Sequence, residues 1–506
     1  MTSDDDPASF WEKSVRAKTE LLLRNPENEK VALELAICQK EAAEGYDCRE
    51  GPANSQRALF FFEAAVKTLS DLYSRNPNSD KVSKSLAISQ NDLGNFLFRT
   101  SPPGDYGRAL SCYESAVRTC QEAYQKNSVS LEVTERLLDQ LDSISLFFAL
   151  RGNTGDIDLQ IGYREESVGI AKSLHRHAPE SEEASQMLVD ALGELASVLV
   201  FRSEPGDIEK ALHHHEHALE INEELQRRNP KSKRAKGSVG FSLRSIGDLY
   251  RHRNQDGDAI WAKRFYESSL QVFKDLYVAD PSNYRTARSV STSLAKLGGI
   301  LKYGEISDIG QALSCFEEAK DINADLCRQD RENKHATRAF AISYDRLGLT
   351  YLLRDEPGDS EKATECFEAE LRLFEDLYQR AHNRKDQRSL SIAQERLGDS
   401  SLRRGDAVEA LRFFKASLKN REELQNQEPE NFRHKCGVSI SYERLGDCYL
   451  QLNKSNAAEQ AHWNYQKALQ IIQDLQESEP ERKIFQSERA LLEDKIREIQ
   501  LRLGNL

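Results

Sequence analysis

Apolar side chains recur along the chain at the three- and four-residue spacing of an amphipathic helix. In one such stretch, Ala363, Phe367, Leu371, Phe374 and Leu377 share a face. About nineteen residues of this pattern lead to a proline, and a second amphipathic stretch then follows. Because proline lacks an amide proton and clashes with the preceding turn, it marks where a helix stops. The pattern predicts an all-α chain built from helix pairs.

The helix pairs form a repeat. The segment from Ala58 to Val66 aligns with the segment from Ala109 to Val117, and eight further copies follow the same frame. The units start near residues 7, 58, 109, 160, 211, 262, 312, 363, 410 and 461. Seven of the nine steps between starts are 51 residues, and seven of the thirteen prolines lie nineteen residues after a start. We therefore expect about ten stacked antiparallel helix pairs in a single array over residues 7–506. A disordered acidic N-terminus, residues 1–6, precedes the array, and a capping helix over residues 481–503 ends it.

A glycine recurs in the middle of the second helix of each pair. It follows leucine or isoleucine at Gly94, Gly247, Gly298, Gly348, Gly398 and Gly446, and Ser145 and Ala196 fill the same place in weaker units. Glycine inside a helix costs about 1 kcal/mol relative to alanine, so its recurrence indicates a close approach of two helices. Between units the chain carries Gly-Asp steps, in which glycine can adopt a left-handed conformation and aspartate can cap a helix.

These residues resemble the tetratricopeptide repeat. Leu445-Gly446-Asp-Cys-Tyr449 and Ile246-Gly247-Asp-Leu-Tyr250 match the first part of its motif, and Ala410, Phe414 and Ser417 match the second. The resemblance implies a right-handed α-solenoid whose Leu-Gly helices line the concave face, and it places a lone second-type helix at the start of the chain. The period of about 51 residues exceeds the 34 residues of that family, so both helices are longer than usual.

Composition narrows the function classes. The chain has 70 basic and 83 acidic residues and a net charge of −13, which disfavours general binding to nucleic acid or anionic membranes. No run of eighteen apolar residues occurs, so we expect no membrane span. The nine cysteines form no CxxC pair, and the first residues carry no export signal, which together favour a cytoplasmic location.

Charged residues surround the glycine in several units, most densely in the C-terminal half. The candidate partner-binding residues are Arg244, Asp248, Arg251, Asp345, Arg346, Glu395, Arg396, Asp399, Arg403, Glu443, Arg444 and Asp447. Such a ladder of both signs could clamp an extended peptide, with arginine supplying two-pronged contacts. The alternative is a solvated face with ion pairs between neighbouring units.

Other features carry weaker hypotheses. The equivalent N-terminal positions are apolar (Phe98, Leu146, Leu150, Val200 and Phe201) and fit either a docking stretch or packing between helices, of which we favour packing. The run His213-His-His-Glu-His217 has metal-ligand spacing, but His215 stands where most units place an aromatic ring, which favours a structural role. Cys112, Cys315 and Cys366 share one repeat position, which favours packing over catalysis. The basic run from Arg227 to Lys236 lies at a turn, where exposed charge is ordinary.

A complete repeat array leaves no room for a catalytic domain, so we expect a protein that is not an enzyme and needs no cofactor or metal. The leading hypothesis is a scaffold or adaptor that holds a partner protein or extended peptide. The alternative is a regulatory or sensor subunit of a separately encoded enzyme such as a kinase, a caspase-like protease or a defence effector. A metal-dependent enzyme built on the histidine run is a third hypothesis. The sequence does not specify the partner or the oligomeric state.

Overall fold

A computed structural model describes residues 7–49, 51–102, 104, 106–452, 456–478 and 482–504. The N-terminal segment predicted to be disordered, residues 1–6, lies outside them. Twenty α-helices and no strand occur in this part of the chain, which confirms the predicted all-α array of helix pairs. The chain divides into two compact units, Met1–Leu249 and Tyr250–Leu506, and α10 runs across the boundary between them.

The first unit contains nine complete helices and most of a tenth. They are α1 Pro7–Arg24, α2 Glu29–Asp47, α3 Pro52–Arg75, α4 Asp80–Thr100, α5 Gly107–Lys126, α6 Leu131–Arg151, α7 Asp156–His177, α8 Glu182–Arg202, α9 Asp207–Arg228 and α10 Lys233–Arg253. Each helix packs on the next one along the chain. The core is a row of apolar clusters between successive helices, as expected when each repeat buries its surface only against its neighbours.

The second unit repeats the same arrangement. Its helices are α11 Asp258–Ala279, α12 Tyr284–Ile300, α13 Ile309–Gln329, α14 Lys334–Arg354, α15 Asp359–Ala381, α16 Arg384–Arg403, α17 Ala407–Gln427, α18 Phe432–Gln451, α19 Ala457–Ser478 and α20 Lys483–Gly504. Helix α20 covers the described part of the predicted capping helix, and its Leu492, Ile496 and Ile499 are buried against the preceding pair.

The even-numbered helices from α4 to α18 carry the recurring glycine, except that α6 has Ser145 and α8 has Ala196 in its place. We call this position the glycine slot and these helices the Leu-Gly helices. We call the odd-numbered helix that follows each of them the aromatic helix. The Leu-Gly helix packs more extensively on this following helix than on the preceding one in α4, α6, α8, α12, α14, α16 and α18. The reason is direct contact between the slot and a ring. A Cβ atom on Gly398 would lie only 2.5 Å from Cε1 of Phe414, and one on Gly298 only 2.9 Å from Cε1 of Phe316. The recurring glycine therefore does mark close helix approach.

The loops between units are held by a recurring ion pair that the sequence reading did not identify. The last arginine of a Leu-Gly helix reaches the first aspartate of the next aromatic helix. The four pairs, which we call Arg–Asp clasps, are Arg151–Asp156, Arg202–Asp207, Arg253–Asp258 and Arg354–Asp359. In the second of these, Nε and Nη2 of Arg202 donate to the two carboxylate oxygens of Asp207 over 2.9 and 2.8 Å. The aspartate also accepts the backbone N–H of Glu204 at 3.0 Å.

Each clasp depends on a glycine immediately before the aspartate. Gly206 adopts φ of 88° at the N-cap of α9, and Gly358 adopts 87° at the N-cap of α15. This left-handed conformation suits glycine because it has no Cβ. The predicted left-handed glycine therefore occurs at the start of the next helix, whereas Ser203 and Asp355 end the preceding helices in that conformation.

One helix of the array is apolar enough to be considered for membrane insertion. By length and composition α8 could cross a bilayer, with a mean hydropathy of 1.4, and 44% of that window is buried inside the protein. Its Leu188 and Leu192 pack with Ala171 of α7 and Ile221 of α9 in one cluster. This position within a cluster is typical of a core helix, and the absence of a membrane span stays a prediction.

Candidate functional site

Four positions on each Leu-Gly helix share one face and are not buried. They lie six and three residues before the glycine slot and one and five residues after it, as Ile392, Glu395, Asp399 and Arg403 do in α16. Steps of three and four residues place side chains on one side of a helix. We call this set of positions the slot stripe. Most of the predicted partner-binding residues lie on it or directly beside it.

In the second unit the charged residues of the stripe pair with one another across successive Leu-Gly helices. Arg396 of α16 donates through Nε to Asp345 of α14 at 2.9 Å. Nε of Arg444 in α18 lies 3.5 Å from a carboxylate oxygen of Asp399, and its Nη1 lies 3.8 Å from Asp447. The structure thus brings together five of the predicted residues. Their ion pairs between neighbouring repeats correspond to the alternative interpretation, a solvated face, and not to a peptide clamp.

The charged ladder continues into the last helix. Nζ of Lys495 lies 2.8 Å from a carboxylate oxygen of Glu443 and 2.8 Å from one of Asp447. Tyr465 also donates to Asp447, at 2.6 Å. Sequence reasoning missed Lys495 because it treated the last helix only as a cap, although this residue stands one repeat after Arg444.

Two further predicted residues lie deeper. Glu395 accepts a hydrogen bond from Arg421, whose guanidinium is buried and also donates to the backbone oxygen of Gly437 at 2.7 Å. Burial lowers the pKa of Arg346, although the charge of Asp345 opposes the shift. These contacts give both residues a role in packing, and a role in partner binding stays a prediction.

The remaining predicted residues are not part of the ladder. Arg403 and Arg251 are exposed and form no ion pair within the described part of the chain. In the first unit, the guanidinium of Arg244 lies over the ring of Phe241, 4.9 Å from its centre. Asp248 lies near His215, and its charge acts to raise the pKa of that imidazole.

The slot stripe of the first unit carries exposed apolar side chains instead of paired charges. Leu150 of α6 and Phe201 of α8 occupy the same register on successive Leu-Gly helices, and they are 62% and 80% exposed. Leu146 lies one turn before Leu150 and is 53% exposed, and Phe241 of α10 is 49% exposed. Our preference for packing is therefore wrong for Leu146, Leu150 and Phe201, although Phe98 does pack against the core. We call Leu146, Leu150, Phe201 and Phe241 the apolar patch.

A cavity of about 510 Å³ opens beside this patch, between α8, α9 and α10. It lies where two repeat positions depart from the pattern. Gly193 stands three residues before the slot, where other units carry Asn91, Asp142, Arg244 or Asp345, and His215 replaces the aromatic ring. A Cβ on Gly193 would be 3.9 Å from Cε1 of the imidazole, at ordinary van der Waals distance. Sequence reasoning missed this site because it arises from small residues and not from a motif.

The neighbouring aromatic position is also exceptional. Arg164 of α7 stands one repeat before His215, and its guanidinium pairs with Asp142 of α6 and Glu194 of α8. Two carboxylates thus share one cation at the edge of the cavity. Burial raises the pKa of Glu194, although Arg164 opposes the shift.

The other candidate chemistry has a structural explanation. Burial lowers the pKa of His214, His215 and His217, so these imidazoles are neutral near pH 7. Among the described residues, no group of three His, Cys, Asp or Glu side chains is placed to hold a metal ion. Burial raises the pKa of the Cys315 and Cys366 thiols to about 11, which keeps them protonated and poorly nucleophilic.

Comparison with known proteins finds similar chains among solved structures. No family model and no curated protein match the chain. Among solved structures, BtubC (BKLC) from P. vanneervenii is 21% identical, with coverage of 54% of this chain and 93% of that one and a TM-score of 0.42. The apo form of RapI is 14% identical, with coverage of 83% and 98% and a TM-score of 0.45. The C-terminal part of a TPR repeat-containing protein from Cytophaga hutchinsonii is 12% identical, with coverage of 62% and 90% and a TM-score of 0.34.

Proposed function

We propose that this protein is a partner-binding helical array, a scaffold or adaptor that works by holding another protein and not by catalysis. The observation that carries the proposal is the apolar patch on the slot stripe of the first unit. Contiguous exposed apolar side chains on a protein surface mark interaction sites, because burying them releases ordered water and is favourable. Single exposed apolar residues are common, but here Leu150 and Phe201 share one register on successive Leu-Gly helices.

The charges of the second unit have a different role in this proposal. Arg396 already pairs with Asp345, and Arg444 pairs with Asp399. Lys495 pairs with Glu443 and Asp447, so a partner that used these charges would have to break ion pairs between helices. A partner that binds the apolar patch of the first unit would not have to break those ion pairs. We therefore place the main contact on the apolar patch, with a protein or extended peptide as its occupant and the cytoplasm as the compartment.

The test compares a patch variant with a matched control in affinity capture from the source cells. Leu150→Ser with Phe201→Ser removes the two most exposed patch residues. Phe60→Ser with Val129→Ser removes two side chains that are 64% and 57% exposed but lie off the stripe. We expect the patch variant to lose the specifically captured protein by more than about tenfold, because each buried large apolar side chain contributes about 1.5–3 kcal/mol.

Both variants should keep the wild-type helical circular dichroism spectrum and melting temperature, since all four side chains are exposed. Equal recovery of the same proteins with the wild type and the patch variant would rule out the patch as the binding surface. Loss of capture with the control variant would point to a surface elsewhere in the first unit.

A further inference from the structure

The cavity beside the apolar patch contains a buried hydrogen-bond acceptor without a donor. Oδ1 of Asn222, on α9, lines the cavity and has no hydrogen-bond partner, and the residue is only 1% exposed. Its Nδ2 donates to Oγ of Ser242 at 3.0 Å. A buried acceptor that lacks a donor costs free energy, so its presence needs an explanation.

The same position in another repeat shows what is missing. Asn323 stands two repeats after Asn222, and its Nδ2 likewise donates to Ser343 at 2.8 Å. There the Oδ1 atom accepts a hydrogen bond from Ser291 of the preceding Leu-Gly helix at 2.9 Å. In the Asn222 repeat the residue equivalent to Ser291 is Val189, which has no donor. Of these two asparagines at one repeat position, only Asn222 has an unpartnered Oδ1 atom, and its repeat also has the cavity.

The walls of the cavity are suited to a cation. Asp190 and Glu194 line it, together with Ser197, Ser238 and Ser245. The lining contains no lysine or arginine, although the guanidinium of Arg244 lies over one face of the ring of Phe241, a lining residue. His215 is neutral because burial lowers its pKa. Three carboxylates, those of Asp142, Asp190 and Glu194, lie in or beside the cavity, and Arg164 is the cation paired with two of them. Asp190 accepts only a neutral amide, from Gln186 at 2.8 Å.

We propose that this cavity is a pocket for a basic side chain, lysine or arginine, of the partner that covers the apolar patch. This inference rests on the proposed function, because the pocket adjoins Phe201 and includes Phe241. The ammonium or guanidinium group donates to Asn222 Oδ1 at the floor and is balanced by Asp190 and Glu194 at the walls. The aliphatic stem of the basic side chain packs beside the ring of Phe241.

The experiment uses the full-length protein and labelled short peptide mixtures with one fixed central residue. The fixed residue is arginine, its uncharged isostere citrulline, lysine, its uncharged analogue norleucine, or glutamate. The readout is fluorescence anisotropy. We expect the arginine or lysine mixtures to bind at least about tenfold more tightly than the uncharged and acidic ones. Equal binding of the arginine and citrulline mixtures would overturn the proposal.

Two substitutions locate the binding in the cavity. Asn222→Leu removes the acceptor, and leucine is tolerated there because the equivalent residue in α3 is Leu69. Gly193→Asn fills the cavity with the side chain that α4 carries at Asn91, and Ala295→Asn is the matched change in α12. Each cavity variant should lose the preference for basic residues, whereas Ala295→Asn should keep it. Retention of the preference in both cavity variants would place the cation elsewhere and refute this pocket.

The two proposals fail separately. If capture depends on Phe201 but no mixture is preferred, only the pocket is wrong. If neither capture nor peptide binding depends on residues of the first unit, both are wrong.

Discussion

At the residue scale, single exchanges in a repeated position create the unusual chemistry of this protein. Glu370 is one of them. It stands three residues after the aromatic ring of α15, where the other aromatic helices carry Ala65, Ala116, Ser167, Ala218, Ser269, Ala319, Ser417 or Ala468. It is 3% exposed, and its Oε2 atom has no hydrogen-bond partner. Burial, reinforced by the nearby charge of Asp345, raises the pKa of Glu370 well above its usual range, although Arg396 opposes the shift.

This buried carboxyl makes stability fall as pH rises. The folded state keeps the Glu370 proton above the unfolded pKa of about 4.3, so folding takes up a proton between that value and the raised pKa. We expect Glu370→Gln to remove a decline of up to about 1.4 kcal/mol per pH unit and to be more stable than the wild type at pH 8. Urea unfolding between pH 5 and pH 8 measures the difference, with Glu368→Gln, an exposed residue of α15, as the control. Parallel curves for wild type and Glu370→Gln would show that this carboxyl is ionised in the folded state.

At the scale of the element, the glycine slot sets how closely a Leu-Gly helix approaches its aromatic helix. Helix α12 offers an internal comparison because two glycines are adjacent in it. A Cβ on Gly298 would meet the ring of Phe316 at 2.9 Å, whereas a Cβ on Gly299 would meet nothing within 4 Å. The same chemical change should therefore have opposite effects at the two positions.

We expect Gly298→Ala to lower the free energy of unfolding by about 1–3 kcal/mol, because the added methyl group overpacks the interface. Gly299→Ala should raise it by about 0.5–1 kcal/mol, since alanine restricts the unfolded chain and favours the helix. Denaturant titration of both variants gives the sign directly. Adding Phe316→Leu to Gly298→Ala should recover part of the loss. A gain in stability for Gly298→Ala equal to that of Gly299→Ala would mean that the ring does not limit the approach.

Much of the element structure could be predicted because local rules and the repeat agree. Prolines in the described part of the chain lie between helices or at the first residue of a helix, as Pro52 does in α3. The contacts of charged residues could not be predicted, because the choice between Arg396 binding Asp345 and binding a ligand depends on how neighbouring helices are aligned. The cavity could not be predicted either. It depends on the side chain that Gly193 lacks and on the hydroxyl group that Val189 lacks.

At the scale of the whole molecule, the Arg–Asp clasps act together. Two lie in the first unit and two in the second, and their aspartates are 1–3% exposed. The hydrogen bonds from the arginines hold the pKa of Asp156, Asp207, Asp258 and Asp359 below the usual range, although burial opposes the shift. A carboxyl with a lowered folded pKa stabilises the protein above its unfolded pKa, about 3.9. That contribution is lost as pH falls through the folded pKa.

Replacing all four aspartates with asparagine should therefore weaken the protein at pH 7 and flatten its loss of stability below about pH 4. Helical circular dichroism as a function of pH and temperature follows both effects. Asp256→Asn with Asp321→Asn, two exposed positions, should leave the acid transition in place. An acid transition of unchanged steepness in the fourfold variant would show that other carboxylates control it.

The cavity between α8 and α10 indicates that a binding pocket could be transferred from one repeat of this chain to another. It results from small departures within an otherwise regular series, namely a glycine before the slot and an imidazole in place of a ring. The same departures introduced at Ala295 and Phe316 would open a comparable space in the second unit without a new loop or domain. Because equivalent positions recur in each repeat, a binding preference can be moved from one repeat to another while the helices stay the same.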